Sequence, residues 1–162
     1  MSKRSNYPSV KSVFTDPRML LAFGFGSGLS RIMPGTMGTL VAVPFIYPLA
    51  MLPLWSSLLI IVLAWIVGNH LCGYASNKMG VHDHGGIVWD EFVGLWITMI
   101  AVPTTWPWVL AGFVLFRIFD MVKPWPIGWL DKHVHGGRGI MIDDVVAGLM
   151  ALLCLHGYRY FL

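Results

Sequence analysis

The sequence predicts an all-α protein: a compact helical membrane bundle of about five hydrophobic helices, some short or re-entrant, with the polar loops gathered on one face. Three observations predict it. Of the 162 residues, 56% are hydrophobic and 12% charged, where a soluble domain carries about a quarter charged residues. No Asp, Glu, Lys or Arg occurs from Ile32 to Asn77, and a charge-free run of about 20 residues already reads as a transmembrane segment. No stretch alternates apolar and polar residues in the way an outer-membrane strand does. The mean hydropathy of +0.68 agrees.

Residues 1–17 read as a basic N-terminal arm and residues 18–162 as a single membrane-embedded domain. Pro17 and Arg18 open an amphipathic stretch, Met19 to Phe25. Residues 26–39, GSGLSRIMPGTMGT, are too rich in Gly, Ser and Thr for a helix and are expected to be a loop. Thr39 to about Leu52 reads as a helix kinked by Pro44 and Pro48. Pro53 separates it from the longest clean apolar segment, Leu54 to Cys72, so the two form a helical hairpin. Apolar runs then cover Ile87 to Val102 and Trp108 to Phe119, with a turn at 103–107. A polar segment, 120–144, precedes a final helix from Val145 to about Phe161. A 15-residue helix reaches only about 22 Å, less than the roughly 30 Å of hydrocarbon, hence the expectation of short or re-entrant helices.

The net charge of +3 and the pI near 9.0 raise the question of nucleic acid. The basic residues are scattered rather than ranged beside aromatics, so no nucleic-acid partner is expected, and contact with anionic headgroups of a bilayer accounts for the charge. Lys3, Arg4, Lys11, Arg18, Lys78, Arg117, Lys123, Lys132 and Arg138 fall on one side of the bundle, which the positive-inside rule makes cytoplasmic. Cys72 and Cys154 sit in apolar runs with no metal-ligand spacing, and read as hydrophobes. No removable signal peptide is expected from the N-terminal residues.

The eight carboxylates carry the functional signal. Apart from Asp16 and Asp131 they concentrate in Asp83 with Asp90 and Glu91, in Asp120, and in Asp143 with Asp144, each group bordering an apolar run. With Glu91 opening one helix, Asp120 closing its antiparallel neighbour, and Asp143 and Asp144 opening the last, they meet at one membrane depth. Such a gathering calls for a hard divalent cation, Mg²⁺ or Mn²⁺. First-turn capping is the plainer explanation for Asp90, Glu91, Asp143 and Asp144 taken singly, but not for Asp120 near a helix C-terminus. Arg117, Asp120 and Lys123 recur at i, i+3, on one helical face, where Arg and Lys suit phosphate oxygens; snorkelling is their structural alternative. The loop bearing Ser27, Thr36 and Thr39 could present backbone N–H groups and hydroxyls to an anion, although it lacks the nucleotide-loop pattern. His82 and His84 have no metal-site spacing and read as loop polarity or support for neighbouring groups.

GFGSGLSRIMPGTMGT, GVHDHGGIVWDEFVG, FRIFDMVKPWPI and GIMIDDVVAG, in that order, closely resemble the phosphatidylglycerophosphatase A family over roughly residues 20–150. The resemblance falls on Asp83, Asp90, Glu91, Arg117, Asp120, Lys123, Asp143 and Asp144. It implies an all-helical, membrane-embedded phosphatase domain. It implies Mg²⁺-dependent hydrolysis of the phospholipid phosphatidylglycerophosphate to phosphatidylglycerol, at the cytoplasmic face of a bacterial inner membrane. On that expectation Glu91, Asp120, Asp143 and Asp144 hold Mg²⁺. Arg117 and Lys123, with Ser27, Thr36 and Thr39, bind the substrate phosphate, and Asp83 or Asp90 is the base, alongside Glu91 in the catalytic group. The rival class is a small membrane transporter or proton-pathway subunit that uses the carboxylates for cation passage. Whether the chain forms a homo-oligomer stays open.

Overall fold

The computed structural model describes residues 7–81 and 83–161, and His82, like Lys3 and Arg4 of the basic arm, lies outside the described residues. Among them the chain is helical, with no strand. The helices are α1 (Val10–Thr15), α2 (Pro17–Ala22), α3 (Pro34–Ala42), α4 (Ile46–Met51), α5 (Leu54–Met79), α6 (Trp89–Thr98), α7 (Trp106–Val122), α8 (Ile127–His133) and α9 (Gly136–Tyr160), with short 3-10 turns at Gly24–Leu29 and Val43–Phe45. The expected helical bundle is what forms, and its five apolar units are α3 with α4, then α5, α6, α7 and α9.

Prolines set most of the starts. Pro17 opens α2 while the Asp16 carboxylate accepts the Arg18 amide at 3.0 Å. Pro34 opens α3, so the segment expected to be a loop through residue 39 is already helical from 34. A proline at the first helical position is pre-set for helix and outweighs the low propensity of the glycines that follow it. Pro44 brings the 3-10 link between α3 and α4. Gly80, at φ +66°, ends α5 in the left-handed conformation that glycine adopts freely, so α5 runs past Cys72 to Met79. The largest departure is α9, which begins at Gly136 rather than Val145. Asp143 and Asp144 therefore lie inside a helix and do not cap its start.

Pro34–Met51, Leu54–Met79 and Gly136–Tyr160 are long and apolar enough to cross a membrane. On α5 the exposed apolar residues run from Leu54 and Trp55 to Ile66 and Val67, and His70 is exposed just beyond. That outward band of 14 residues is about 21 Å long. At the core is α6, every residue of which is buried from Asp90 to Thr98. Ten residues rise only about 15 Å, so α6 enters the bundle, turns at residues 99–105 and is followed by the returning α7. Two carbonyls of this turn are met by α9: His156 Nε2–H donates to Ile100 O (2.9 Å) and Arg159 Nη1 to Ala101 O (3.0 Å). Gly94 and Gly148 bring α6 and α9 together. A Cβ on Gly148 would stand 2.5 Å from Gly94 O, and one on Gly94 2.9 Å from Asp144 O. The Trp89 indole donates to Ala64 O at 3.0 Å, fixing the start of α6 near the polar end of the outward band.

Candidate active site

Four elements converge where α6 begins. Asp90 and Glu91 occupy its first turn and are buried, their charge matching the positive end of the helix dipole. Arg117, one turn and more before the end of antiparallel α7, puts Nη1 2.5 Å from Glu91 Oε2 and 2.6 Å from Asp120 Oδ2. Thr39 of α3 sets its hydroxyl 2.9 Å from Glu91 Oε2 and 2.9 Å from Gly35 O, two acceptors that share it. Gly35 must lack a side chain here, since a Cβ would lie 2.2 Å from Glu91 Oε1. From the link after α7, the Lys123 ammonium donates to Asp143 Oδ2 (3.0 Å) and Asp131 Oδ1 (2.9 Å). Burial by itself would lower the Lys123 pKa; the hydrogen bonds to Asp131 and Asp143 outweigh it and hold the group above the ordinary lysine value.

These side chains surround a cavity of about 420 Å³ lined by Asp83, Asp90, Glu91, Arg117, Asp120, Lys123, Asp143 and Asp144, with Met33, Pro34, Gly35, Gly85, Ile87, Met121 and Ile140 completing the wall. All eight charged residues singled out from the sequence thus face one space, and six carboxyl groups confront two cations. Asp143 Oδ1, Asp144 Oδ2, Arg117 Nε and Thr36 Oγ1 are buried without a hydrogen-bond partner in the protein. Among the described residues, no three His, Cys, Asp or Glu side chains already stand where they would share one ion. Arg117 instead draws Glu91 and Asp120 together.

The three hydroxyl residues divide. Neither threonine lines the cavity: Thr39 is fully buried and reaches the site only through Glu91, and Thr36 sits in the first turn of α3 beside Gly35. Ser27 donates to Gly24 O at 2.8 Å, closing its own turn, and is not brought to the cavity. His84 is buried and also off the cavity: Nδ1 accepts the Gly86 amide at 3.0 Å, and burial lowers its pKa. Sequence reasoning set Asp131 aside, yet it holds Lys123, because the chain turns back after Pro124 and Pro126 to place α8 beside it. The methionines at the cavity edge, Met33 and Met121, also went unremarked; only the end of an apolar stripe at a polar site would have drawn attention to them.

A helical bundle with membrane-length apolar helices, and an acid-walled cavity holding a guanidinium and an ammonium near the polar end of its lipid-facing band, defines a membrane enzyme built to handle phosphate esters. Comparison with known proteins gives that class a family. The phosphatidylglycerophosphatase A family model matches residues 20–159, and the chain belongs to that family. It is 57% identical over 143 residues to phosphatidylglycerophosphatase A of Escherichia coli K12, covering 88% of this chain and 83% of the relative. It is 43% identical over 159 residues to the Haemophilus influenzae protein of the same name, covering 97% and 98%. A Bacteroides thetaiotaomicron protein, provisionally named a phosphatidylinositol-3-phosphatase, is 38% identical over 154 residues, covering 88% and 93%. No solved structure matches. The chain is a phosphatase.

Proposed function

We propose that this chain hydrolyses the terminal phosphomonoester of phosphatidylglycerophosphate, releasing phosphatidylglycerol and phosphate, in a Mg²⁺-dependent reaction at the cytoplasmic face of a bacterial inner membrane. The observation that carries the reading is the pair of buried, unpartnered oxygens, Asp143 Oδ1 and Asp144 Oδ2, in a cavity that also presents Arg117 and Lys123. Hard carboxylate oxygens without donors suit a small divalent cation, so the donor set fits Mg²⁺, with Asp143 and Asp144 joined by Glu91 and Asp120 as its holders. When bound, the ion would offset the excess negative charge and polarise the phosphoryl oxygens.

The chain's own residues supply the rest. Arg117 is steadied by Glu91 and Asp120 through Nη1, while its buried Nε–H stays unclaimed. A guanidinium so held offers its remaining donors to the equatorial phosphate oxygens without having to reorganise. Lys123, kept protonated by Asp131 and Asp143, adds a second positive charge. Asp90, whose Oδ1 accepts the Glu91 amide at 3.1 Å, or exposed Asp83 would take the proton of the attacking water. Thr39 fixes the Glu91 carboxylate.

The cation-passage alternative gains one point, since Asp143 and Asp144 lie inside α9. A passage would have to continue beyond them along α6 and α9. There, Gly94 and Gly148 press backbone on backbone, and the Thr98 hydroxyl lies 2.9 Å from Gly94 O and 3.4 Å from Gly148 O. The α6–α9 contact is tightly packed at that point, which favours chemistry over transport.

The test is phosphate release from phosphatidylglycerophosphate by detergent-solubilised protein, with and without Mg²⁺. Release should require Mg²⁺ and fall by about a hundredfold or more in Asp144→Asn and Asp143→Asn, the scale of losing one preorganised electrostatic group. Full activity in both variants, or release indifferent to the metal, overturns the reading.

A further inference from the structure

Charged side chains dominate the cavity, and of the larger apolar residues in its wall Ile87 and Ile140 are buried whereas two methionines are not. Met33, at the N-cap of α3, and Met121, in the last turn of α7, line the cavity and yet are 55% and 61% exposed. Each is the end of an exposed apolar stripe: Met33, Met37 and Leu40 at i, i+4, i+7 on α3, and Leu110, Val114, Ile118 and Met121 at i, i+4, i+8, i+11 on α7. α3 packs on α6 and α7 packs on α6 and α9, while α3 and α7 do not pack substantially against each other. Exposed Met33 and Met121 line the same cavity as Glu91 and Arg117, so the cavity reaches the surface through a gap between these two helix ends. At its inner end Gly35 packs closely on this pair: a Cβ there would stand 2.2 Å from Glu91 Oε1 and 3.2 Å from Arg117 Nη2.

We propose that this gap is the substrate entrance. The phospholipid slides in from the bilayer between the start of α3 and the end of α7, its diacylglycerol portion lying against Met33 and Met121 while its phosphomonoester reaches Arg117. This rests on the lipid-phosphatase reading above and adds the route. The occupant is set by continuity: both stripes belong to the apolar surface of a bundle with membrane-length helices, where bare methionine, leucine and valine meet acyl chains at no penalty, whereas in water they would form an exposed patch. Elsewhere the rim carries exposed Asp83 and Gly85, an edge suited to water and to departing phosphate. One molecule that is apolar at one end and a phosphate at the other matches a cavity with an exposed methionine rim and charged side chains within.

The full-length protein, carrying a photoreactive benzophenone side chain at position 33, at position 121, or at lipid-exposed Leu153 on α9, tests this in nanodiscs with phosphatidylglycerophosphate labelled in its acyl chains. Capture at 33 and 121 should be competed by unlabelled phosphatidylglycerophosphate and not by phosphatidylcholine, while capture at 153 should respond to both alike. Equal competition at all three positions overturns the entrance. Phosphate release by the same preparations is read in parallel: its absence sinks the lipid-phosphatase reading, whereas normal release with unselective capture sinks the entrance alone. Met33→Ser with Met121→Ser, which removes the apolar rim without adding charge, should raise KM in mixed micelles about tenfold, the size of a lost apolar contact in a binding site, with the effect falling mainly on KM rather than kcat. An unchanged KM overturns the proposal.

Discussion

Replacing Arg117 by glutamine separates what the site needs in order to stand from what it needs in order to react. One nitrogen, Nη1, bridges Glu91 and Asp120, and the three side chains are 13%, 9% and 15% exposed. Removing the guanidinium leaves two mostly buried carboxylates facing each other with no counter-charge. Breaking a buried ion pair from one side costs about 3–5 kcal/mol, a large fraction of the 5–15 kcal/mol that holds a typical domain together. For a chain of this length that is a fall of about 10 °C in the unfolding midpoint. If Arg117 also meets the charge developing on the phosphate, kcat should drop by about 10²–10³. The double variant Arg117→Gln, Glu91→Gln removes one of the stranded charges and should recover much of the lost thermal stability with none of the activity. The assays are a thermal melt in detergent and phosphate release on the same samples. Unchanged melting and activity in Arg117→Gln, or activity restored in the double variant, would refute the reasoning.

Gly94→Ala should be disproportionately harmful, because the new methyl would stand 2.4 Å from Phe116 Cε2 and 2.9 Å from the Asp144 carbonyl. Overpacking there costs about 1–3 kcal/mol and parts α6 from α9, so kcat should fall more steeply than the melting point. Gly157→Ala, with nothing within 4 Å, should be neutral in both measurements. His84 predicts a pH effect: Nδ1 must be unprotonated to accept the Gly86 amide, and burial depresses the folded pKa below 6.5. The stability it lends is therefore present above pH 6.5 and lost as pH falls through the lower folded value. Melting curves between pH 7.5 and pH 5 should show the loss, and His84→Gln should flatten it.

Much of the fold could be read because the bilayer imposes simple rules: length, charge-free runs and proline punctuation located α5, α7 and the kinked α3–α4 unit, although α3 begins at Pro34 rather than Thr39 and α5 ends at Met79 rather than Cys72. Glycine misled. In GSGLSRIMPGTMGT and HGGRGIMI it looked like loop, yet Gly35, Gly38, Gly137 and Gly139 all lie in α3 or α9. Several of these glycines are small because another backbone or a carboxylate presses on them, as Asn69 O presses on Gly137. Helix propensity describes an isolated segment, and here tertiary packing overrides it. The charged site residues were legible because a carboxylate beside an apolar run needs a physical reason. The methionine edge was not, since in a chain this apolar one more exposed methionine carries no signal until its neighbours across the gap are known.

That α9 starts early bears directly on chemistry. A carboxylate in the first turn of a helix is explained by the orphan amides and the dipole of that helix, and Asp90 and Glu91 partly have that explanation. Asp143 and Asp144 do not, being two turns inside α9, where every neighbouring amide is already bonded within the helix. Lys123 answers one oxygen of Asp143, and Asp143 Oδ1 and Asp144 Oδ2 have no donor. Two such oxygens, buried among four further carboxyl groups, would be a standing penalty of several kcal/mol if structure were their only purpose. The penalty is removed if positive charge from outside the chain arrives at that spot during function, and the two species that the proposed reaction brings there are a divalent cation and a phosphate that needs one.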